Sequence, residues 1–385
     1  MMGKKKILIV VPSFTIGGTI VSLNSLLSVL DTSKYKIDVF ALNRSGEYLH
    51  RLPNCTILPE NVWLSHHTYT LGRVGNTING ILRIIRVICR KFGFTIVPLL
   101  SRLADKQLNF SKYDTVVNYD ESVSYITCHY PAARRVAWVH CDYRRHLSIV
   151  KRDELKIYEA YDKVVCVSEY AKRVFVECIP TMASRTLAIH NIINVADIKH
   201  KASERVDDER FITEDFTIIS AGRLDPIKQF HLIPQIAADL KIYTNKKYVW
   251  YIIGGERGFD TYLTDIKRNI ERLDVSEQVV LLGEKKNLYP YMSQADLYVS
   301  TSLSESFPLV INEAKALGIP VVTNNFGSAG ESVKNGIDGW ITTIDDGKMA
   351  RLISEIITSK VCLEQSSDLQ EDENRCILKS IYEVL

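Results

Sequence analysis

The sequence predicts an α/β protein made of two Rossmann-like, doubly wound parallel-sheet domains. Three observations predict it. Short aliphatic runs alternate with helical patterns along the chain, as expected for strands covered on both faces. At 385 residues, the chain is too long for one ordinary core. A polar, charge-rich stretch at 199–214 lacks aliphatic periodicity and reads as a linker, after which the alternation restarts. In sheets of this kind ligands bind beyond the carboxyl ends of the strands, so the two domains are expected to face each other across a cleft.

The elements follow in order. Residues 6–11 form a continuous aliphatic run, and 20–30 carry helical spacing through Val21, Leu23, Leu26, Leu27 and Leu30. Strand-like runs return at 35–42, 55–58, 115–118, 135–139, 164–167 and 187–189. Beyond the linker, strands are expected at 216–221, 249–254, 279–282, 297–300, 321–323 and 340–343, with helices at 230–242 and 262–273. Pro308 just before a helix at 309–317, and Gly318 and Pro320 after it, mark that helix at both ends. No repeat or low-complexity tract occurs.

Composition bounds the class. With 46% hydrophobic and 24% charged residues the chain reads as globular and soluble, and no run of 18 or more apolar residues predicts a membrane span. Lys4, Lys5 and Lys6 precede aliphatics as in a signal peptide. That run is short, stops at Pro12 and lacks a small-residue cleavage site, so a first strand is expected instead. Eight scattered cysteines, with neither a CxxC pair nor metal-ligand spacing, read as reduced thiols of a cytosolic chain. The net charge of +3 is uneven. Residues 1–190 hold 26 Lys and Arg against 15 Asp and Glu, a balance of +11, and the remainder balances at −8. A basic first half suits an anionic partner: nucleic acid, a membrane surface or a phosphorylated lipid.

Several motifs fall just after predicted strands. In the second half, Arg223 and Lys228 follow a buried strand, and Glu305 and Glu313 lie eight residues apart. Carboxylates accept hydrogen bonds from sugar and ribose hydroxyls, while Arg and Lys neutralise phosphate, so the set suits a nucleotide-activated sugar. Glu305 precedes the 309–317 helix, and the backbone of Phe307, Pro308, Leu309 and Val310 lies at its positive end. Glu313 is read either as a solvated charge or as a buried ligand contact. In the first half, Gly17 and Gly18 join strand to helix: they cradle a phosphate or simply make the turn, and no GxGxxG fingerprint is present. His140 ends a strand and serves either structure or a sugar hydroxyl. Residues 75–91 form a basic amphipathic helix, with Ile78, Ile81, Leu82, Ile85 and Ile88 on one face and Arg83, Arg86 and Arg90 opposite. It packs on the core or lies on an anionic membrane, and the +11 balance favours the membrane.

Together these residues resemble the retaining, two-Rossmann-domain (GT-B) glycosyltransferases of family 4. The resemblance spans essentially the whole chain. It is most specific through Gly222-Arg223, Lys228, Leu282-Gly283, Glu305, Glu313-Ala314 and Gly318-Ile319-Pro320, with Gly17-Gly18, His140 and Ser168-Glu169 in the expected order. It implies domains at 1–195 and 196–365, and a final helix at 366–385 crossing back to the first domain. It implies that Glu313 holds the ribose hydroxyls, Glu305 the donor sugar, and Arg223 with Lys228 the leaving diphosphate. The 307–310 backbone and Gly17-Gly18 would complete the phosphate cradle, His140 would touch the transferred sugar, and Leu282-Gly283 would lie against the base. Pro308 stands where glycine is frequent in the family, and it removes one N–H.

The activity so implied is sugar transfer from a nucleoside-diphosphate sugar, taken as a UDP-sugar, with retention of anomeric configuration. The acceptor would be a lipid-phosphate-linked glycan at the cytoplasmic face of the membrane, in surface-polysaccharide assembly (capsule or lipopolysaccharide). No Asp-x-Asp follows a strand, so no cofactor or metal is expected. A dehydrogenase, a sugar-nucleotide epimerase and a non-catalytic polysaccharide-binding protein are the rivals. The missing dinucleotide fingerprint counts against the first, and the intact cation and carboxylate set against the last. No basic patch interleaved with aromatics supports nucleic acid.

Overall fold

Ile7 to Val11 are essentially fully buried, and so are Val164 to Cys166 and Leu297 to Val299. Strands this apolar must be covered on both faces, which parallel sheets flanked by helices achieve. The computed structural model describes residues 3–65, 72–91, 95–130, 132–149, 154–213, 215–256, 261–359 and 367–385. It divides into two compact units, one of 1–192 with 376–385, the other of 193–375.

The first unit holds β1 (Lys5–Ser13), β2 (Tyr35–Asn43), β3 (Thr56–Ile57), β4 (Thr115–Asn118), β5 (Arg134–Val139), β6 (Lys163–Cys166) and β7 (Thr186–Ala188). They are ordered 3-2-1-4-5-6-7, and every pairing is parallel. The second holds β8 (Phe216–Ala221), β9 (Tyr248–Ile253), β10 (Val279–Gly283), β11 (Leu297–Ser300), β12 (Val321–Asn324) and β13 (Gly339–Thr342), ordered 10-9-8-11-12-13 and again parallel. Each sheet reverses its winding once, between β1 and β4 and between β8 and β11. These are the switch points beyond which doubly wound sheets bind ligands.

The second core is closed around fully buried Trp250. Its indole N–H donates to Ser220 Oγ at 3.0 Å, and Ser220 donates to the Val299 carbonyl at 2.6 Å. Both polar groups are thus satisfied inside an apolar layer, which avoids the desolvation penalty of an unpaired donor. In the first unit, the Tyr113 hydroxyl donates to Asp38 at 2.6 Å. The helix Ser367–Val384 brings the end of the chain to that unit, where Tyr382 stacks on Tyr35 and Thr115 donates to the Leu385 carbonyl at 2.6 Å.

Two expectations change. The stretch at 199–214 is not all linker, because the helix Val195–Ala202 runs into it. Asn194 caps that helix at the Asp197 N–H, and three basic residues fill its last turn. The helix Gly72–Lys91 presents its faces differently from the expected pattern. Asn79, Leu82 and Arg86, at helical spacing, form the inward stripe. Asn79 donates to the Ser65 carbonyl and Arg86 to the Trp63 carbonyl, and Leu82 joins the core. Ile81, Ile84, Ile85, Val87 and Ile88 are exposed at 38–62%. The outward face is therefore aliphatic, since the two polar residues satisfy loop carbonyls beneath the helix. The side chains of Arg83 and Arg90 lie outside the described residues.

Gly254 follows β9, and a Cβ there would sit 1.8 Å from the Gly222 carbonyl oxygen. Gly254→Ala is expected to cost about 3 kcal/mol or more, by overpacking against backbone. Gly17→Ala, where a Cβ meets nothing within 4 Å, should cost little. Urea unfolding midpoints check the pair, and equal losses would contradict the close approach.

Candidate functional site

The polar residues of the second unit gather where β8 and β11 end side by side. β8 runs out into Gly222, whose φ of 154° favours glycine and whose absent side chain leaves room for the Lys228 stem. Asp225 then accepts from the Ile227 and Lys228 amides and starts the short helix Pro226–Lys228. An Asp cap followed by Pro is a local signal that fixes where Lys228 emerges.

Three contacts tie this loop to the one after β11. The Leu303 N–H donates to the Ile227 carbonyl at 2.8 Å, and Thr301 Oγ1 donates to the Lys228 carbonyl at 2.6 Å. Lys228 Nζ lies 2.5 Å from Glu305 Oε1, with side chains 20% and 16% exposed. Ser302 Oγ donates to the same oxygen at 2.7 Å, and Ser328 donates to the Glu305 carbonyl at 2.8 Å. Arg223 is two-thirds exposed and pairs with nearly buried Asp225 at 3.2 Å. The structure thus joins Lys228 to Glu305 directly and places Arg223 on the same loop as Lys228.

Past Phe307, the helix Leu309–Ala316 starts at Pro308 with no side-chain cap and no acidic residue in its first turn. Its positive end is left to an anion from elsewhere. Glu313, 6% exposed on that helix, accepts from the Tyr289 hydroxyl at 3.1 Å. Burial pushes its carboxyl up to about 7, opposed by the Tyr289 bond and by Lys201. Burial first, then Glu305 and Glu313, hold the Tyr298 phenol well above its usual range, which places both carboxylates within electrostatic reach of one buried ring.

Leu282 and Gly283 end β10. The Leu282 side chain is buried in the core, and its carbonyl, like that of Leu281, accepts from Arg210 at 3.1 Å. The Gly283 carbonyl accepts from the Gly254 N–H at 2.9 Å. What Leu282 offers a ligand is therefore backbone, not side chain.

In the first unit the other switch point gathers Gly17, Gly18, Asp120, Glu121 and His140. Gly17 caps the helix Gly18–Val29 in extended conformation. The preceding Ile16 N–H already donates to Glu47 at 2.8 Å, and Thr19 donates to Asp120 at 3.2 Å. His140 donates its backbone N–H to Glu121 at 3.0 Å, and burial lowers its imidazole to about 4. Its Nε2 is buried without a hydrogen-bond partner among the described residues. A neutral imidazole with an unspent nitrogen can bond a ligand hydroxyl.

Sequence reasoning did not single out Tyr289, Ser302, Thr301 or Asp225. Asp225 was detectable as a cap and Ser302 as a strand-end hydroxyl, whereas Tyr289 reaches Glu313 from a separate helix and carries no local signal.

Residues 203–374 match the family described as glycosyl transferases group 1. The chain is 27% identical over 190 residues to UDP-Gal:alpha-D-GlcNAc-diphosphoundecaprenol alpha-1,3-galactosyltransferase of Escherichia coli, a match covering 48% of this chain and 46% of that one. It is 30% identical over 148 residues to an uncharacterised 41.2 kDa protein in the cps region of Klebsiella pneumoniae, covering 38% and 37%. The chain spans less than half the length of these curated relatives. Among solved structures, Anabaena HepE in complex with UDP and glucose superposes with a TM-score of 0.71 at 19% identity, over 98% of both chains. The lipopolysaccharide outer core galactosyltransferase WaaB gives 0.62 at 13%, over 96% and 94%. At such identities the likeness is one of fold. The fold is that of two doubly wound parallel-sheet units, and residues 203–374 carry the likeness to glycosyl transferases group 1.

The raised Glu313 carboxyl has a consequence for stability. At Glu313 the folded chain holds a proton that the unfolded chain has released between about 4.5 and about 7, so this residue's contribution to stability falls as pH rises through that window. Glu313→Gln should match the wild type near the bottom of the window and exceed it by roughly 2–3 kcal/mol above the top. Urea unfolding at pH 4.5 and pH 8 checks this, and a pH slope unchanged by the substitution would contradict it.

Proposed function

We propose that the chain is a retaining glycosyltransferase that moves a sugar from a nucleoside-diphosphate sugar, a UDP-sugar, to a hydroxyl of a lipid-linked glycan. The observation that carries this reading is the Lys228–Glu305 pair at the β8–β11 switch point, beside Arg223 and the uncapped helix that bears Glu313. Few ligands use two cations, an open helix N-terminus and two carboxylates at once. A nucleoside diphosphate bearing a sugar uses all of them.

In this reading the diphosphate draws Lys228 from Glu305 and takes Arg223 as a fork. Glu305, released, accepts from the donor sugar. Glu313 holds the ribose hydroxyls, oriented by Tyr289. The 307–310 backbone meets the phosphate with one N–H fewer, because Pro308 has none. Gly17-Gly18 adds to the phosphate cradle, and His140 Nε2 bonds the transferred sugar. The acceptor oxygen forms its bond to the anomeric carbon on the side from which the diphosphate departs. The acceptor proton passes to a leaving phosphate oxygen, so no side-chain base is needed. Charge stabilisation by Arg223 and Lys228, together with orientation, supplies the acceleration. Neither a cofactor nor a metal enters these steps.

The lipid-linked acceptor rests on the name of the Escherichia coli relative, and a UDP donor on that name and on the UDP bound to HepE. A place at the inner face of the membrane, in surface-polysaccharide assembly, extends this reading; the diphosphoundecaprenol in that relative's name and the aliphatic outward face of Gly72–Lys91 in a basic half support a membrane surface. No described helix is long and apolar enough to cross a membrane. An interfacial helix needs only to sink its apolar face into the headgroup boundary.

A thermal-shift panel of UDP, GDP, ADP, CDP and NAD, with EDTA present, tests the donor. One nucleoside diphosphate at 100 times its dissociation constant should stabilise the wild type by about 2.7 kcal/mol, and Glu313→Ala should lose that shift. A shift with NAD alone, or none, would refute the assignment. For the membrane, wild type should float with anionic liposomes and Ile84→Glu/Ile88→Glu should not. Equal flotation of the two proteins would refute the helix as anchor.

A further inference from the structure

The first unit contains a cluster that the transfer reaction does not use. The carboxylate of Glu121, the thiol of Cys141 and one ring nitrogen of His146 each offer a donor atom, all within 4.8 Å of one another. A fourth group stands beside His146, with Glu154 Oε2 3.7 Å from its Nε2. The His146 side chain is 9% exposed and Glu154 3%, and Nε2 of His146 has no hydrogen-bond partner among the described residues. Burying an imidazole nitrogen unpaired costs free energy unless something bonds it.

We propose that Glu121, Cys141, His146 and Glu154 form a binding site for a borderline-soft divalent cation of the zinc class. One sulfur, one imidazole nitrogen and two carboxylate oxygens make a donor set that zinc accepts in tetrahedral geometry. Zinc bonds of about 2.0–2.3 Å put ligand atoms roughly 3.3–3.8 Å apart, so the Glu121, Cys141 and His146 atoms, now within 4.8 Å of one another, would draw in by about 1.5 Å at most. The Tyr143 hydroxyl already donates to Glu154 at 2.7 Å and its ring stacks on His146 at 5.1 Å, so one residue orients two ligands from behind. The Cys141 sulfur lies within 4.8 Å of a Glu121 carboxylate oxygen.

On binding, the thiol proton leaves to solvent and the thiolate sulfur bonds the ion. The His140 N–H donates to the same Glu121 carboxylate, and that contact would be stiffened by the ion. Arg223 and Lys228 belong to the second unit, and no step proposed at the diphosphate uses these four residues.

The test uses the full chain stripped with chelator, loaded with zinc, and desalted before metal is counted per chain. One retained zinc is expected, with affinity weakened by about 10–100-fold or more in Cys141→Ser and in His146→Gln. Tyr143→Phe keeps the ring and should weaken binding too, which covers the case of a ligand variant that fails to fold. Cobalt in place of zinc should give a thiolate-to-metal absorption band in the wild type that Cys141→Ser lacks. Zinc retained no better than in the chelated control, equal retention in the variants, or a cobalt spectrum without the thiolate band would overturn the site. None of these readouts depends on donor binding.

Discussion

The adjacency of β8 and β11 is the constraint on which the second unit's site depends. Some 75 residues and two further strands separate them in sequence, yet they pair directly, Leu297 against Ile218 and Tyr298 against Ile219. Because the sheet reverses there, the loops that follow these strands have no neighbouring connection between them and can meet. Ser220 at the end of β8 bonds both Trp250 on β9 and Val299 on β11, so the core that holds the strands together also holds the loops in register.

What meets there is a pair of opposite charges in a half-shielded setting. Lys228 and Glu305 satisfy one another, and Ser302 adds a second bond to the carboxylate. Separating them without replacement would leave two poorly solvated charges, and breaking such pairs one-sidedly is costly. In the proposed reaction a diphosphate would bring a new anion for the lysine while a sugar hydroxyl would bring a new donor for the carboxylate. Such an exchange would conserve bonding on both sides and would make the pair selective for a ligand carrying both groups. Glu313 works by a different principle. It is buried with one phenol bond and a raised affinity for its proton, so a ribose able to donate two hydrogen bonds would favour its charged form.

Much of this was legible in the sequence because the relevant signals are local. Aliphatic runs marked the strands, Asp225-Pro226 could have announced a cap, and Pro308 with Gly318 bracketed the helix bearing Glu313. Loop order relative to strands also placed Arg223, Lys228 and Glu305 at strand ends. What was hidden depends on distance along the chain. The Tyr289 contact with Glu313 and the Ser302 contact with Glu305 exist only once the loops have packed. The Gly72–Lys91 helix shows the same limit from the other side. Its periodicity is plain, but which face turns inward is decided by two loop carbonyls, at Trp63 and Ser65, that attract Arg86 and Asn79. Likewise, nothing in the spacing of Glu121, Cys141, His146 and Glu154 resembles a metal motif, because β4 and β5 bring the first two together.

Calorimetric titration of UDP and a UDP-sugar into wild type, Lys228→Met, Glu305→Gln and the double variant tests the proposed exchange at Lys228. Lys228→Met should weaken both ligands. Glu305→Gln should tighten UDP, by removing the competing carboxylate, while weakening the UDP-sugar. The two substitutions should also be non-additive, with a coupling of about 1 kcal/mol or more. Affinities for UDP and the UDP-sugar that ignore both substitutions, or effects that simply add, would contradict it.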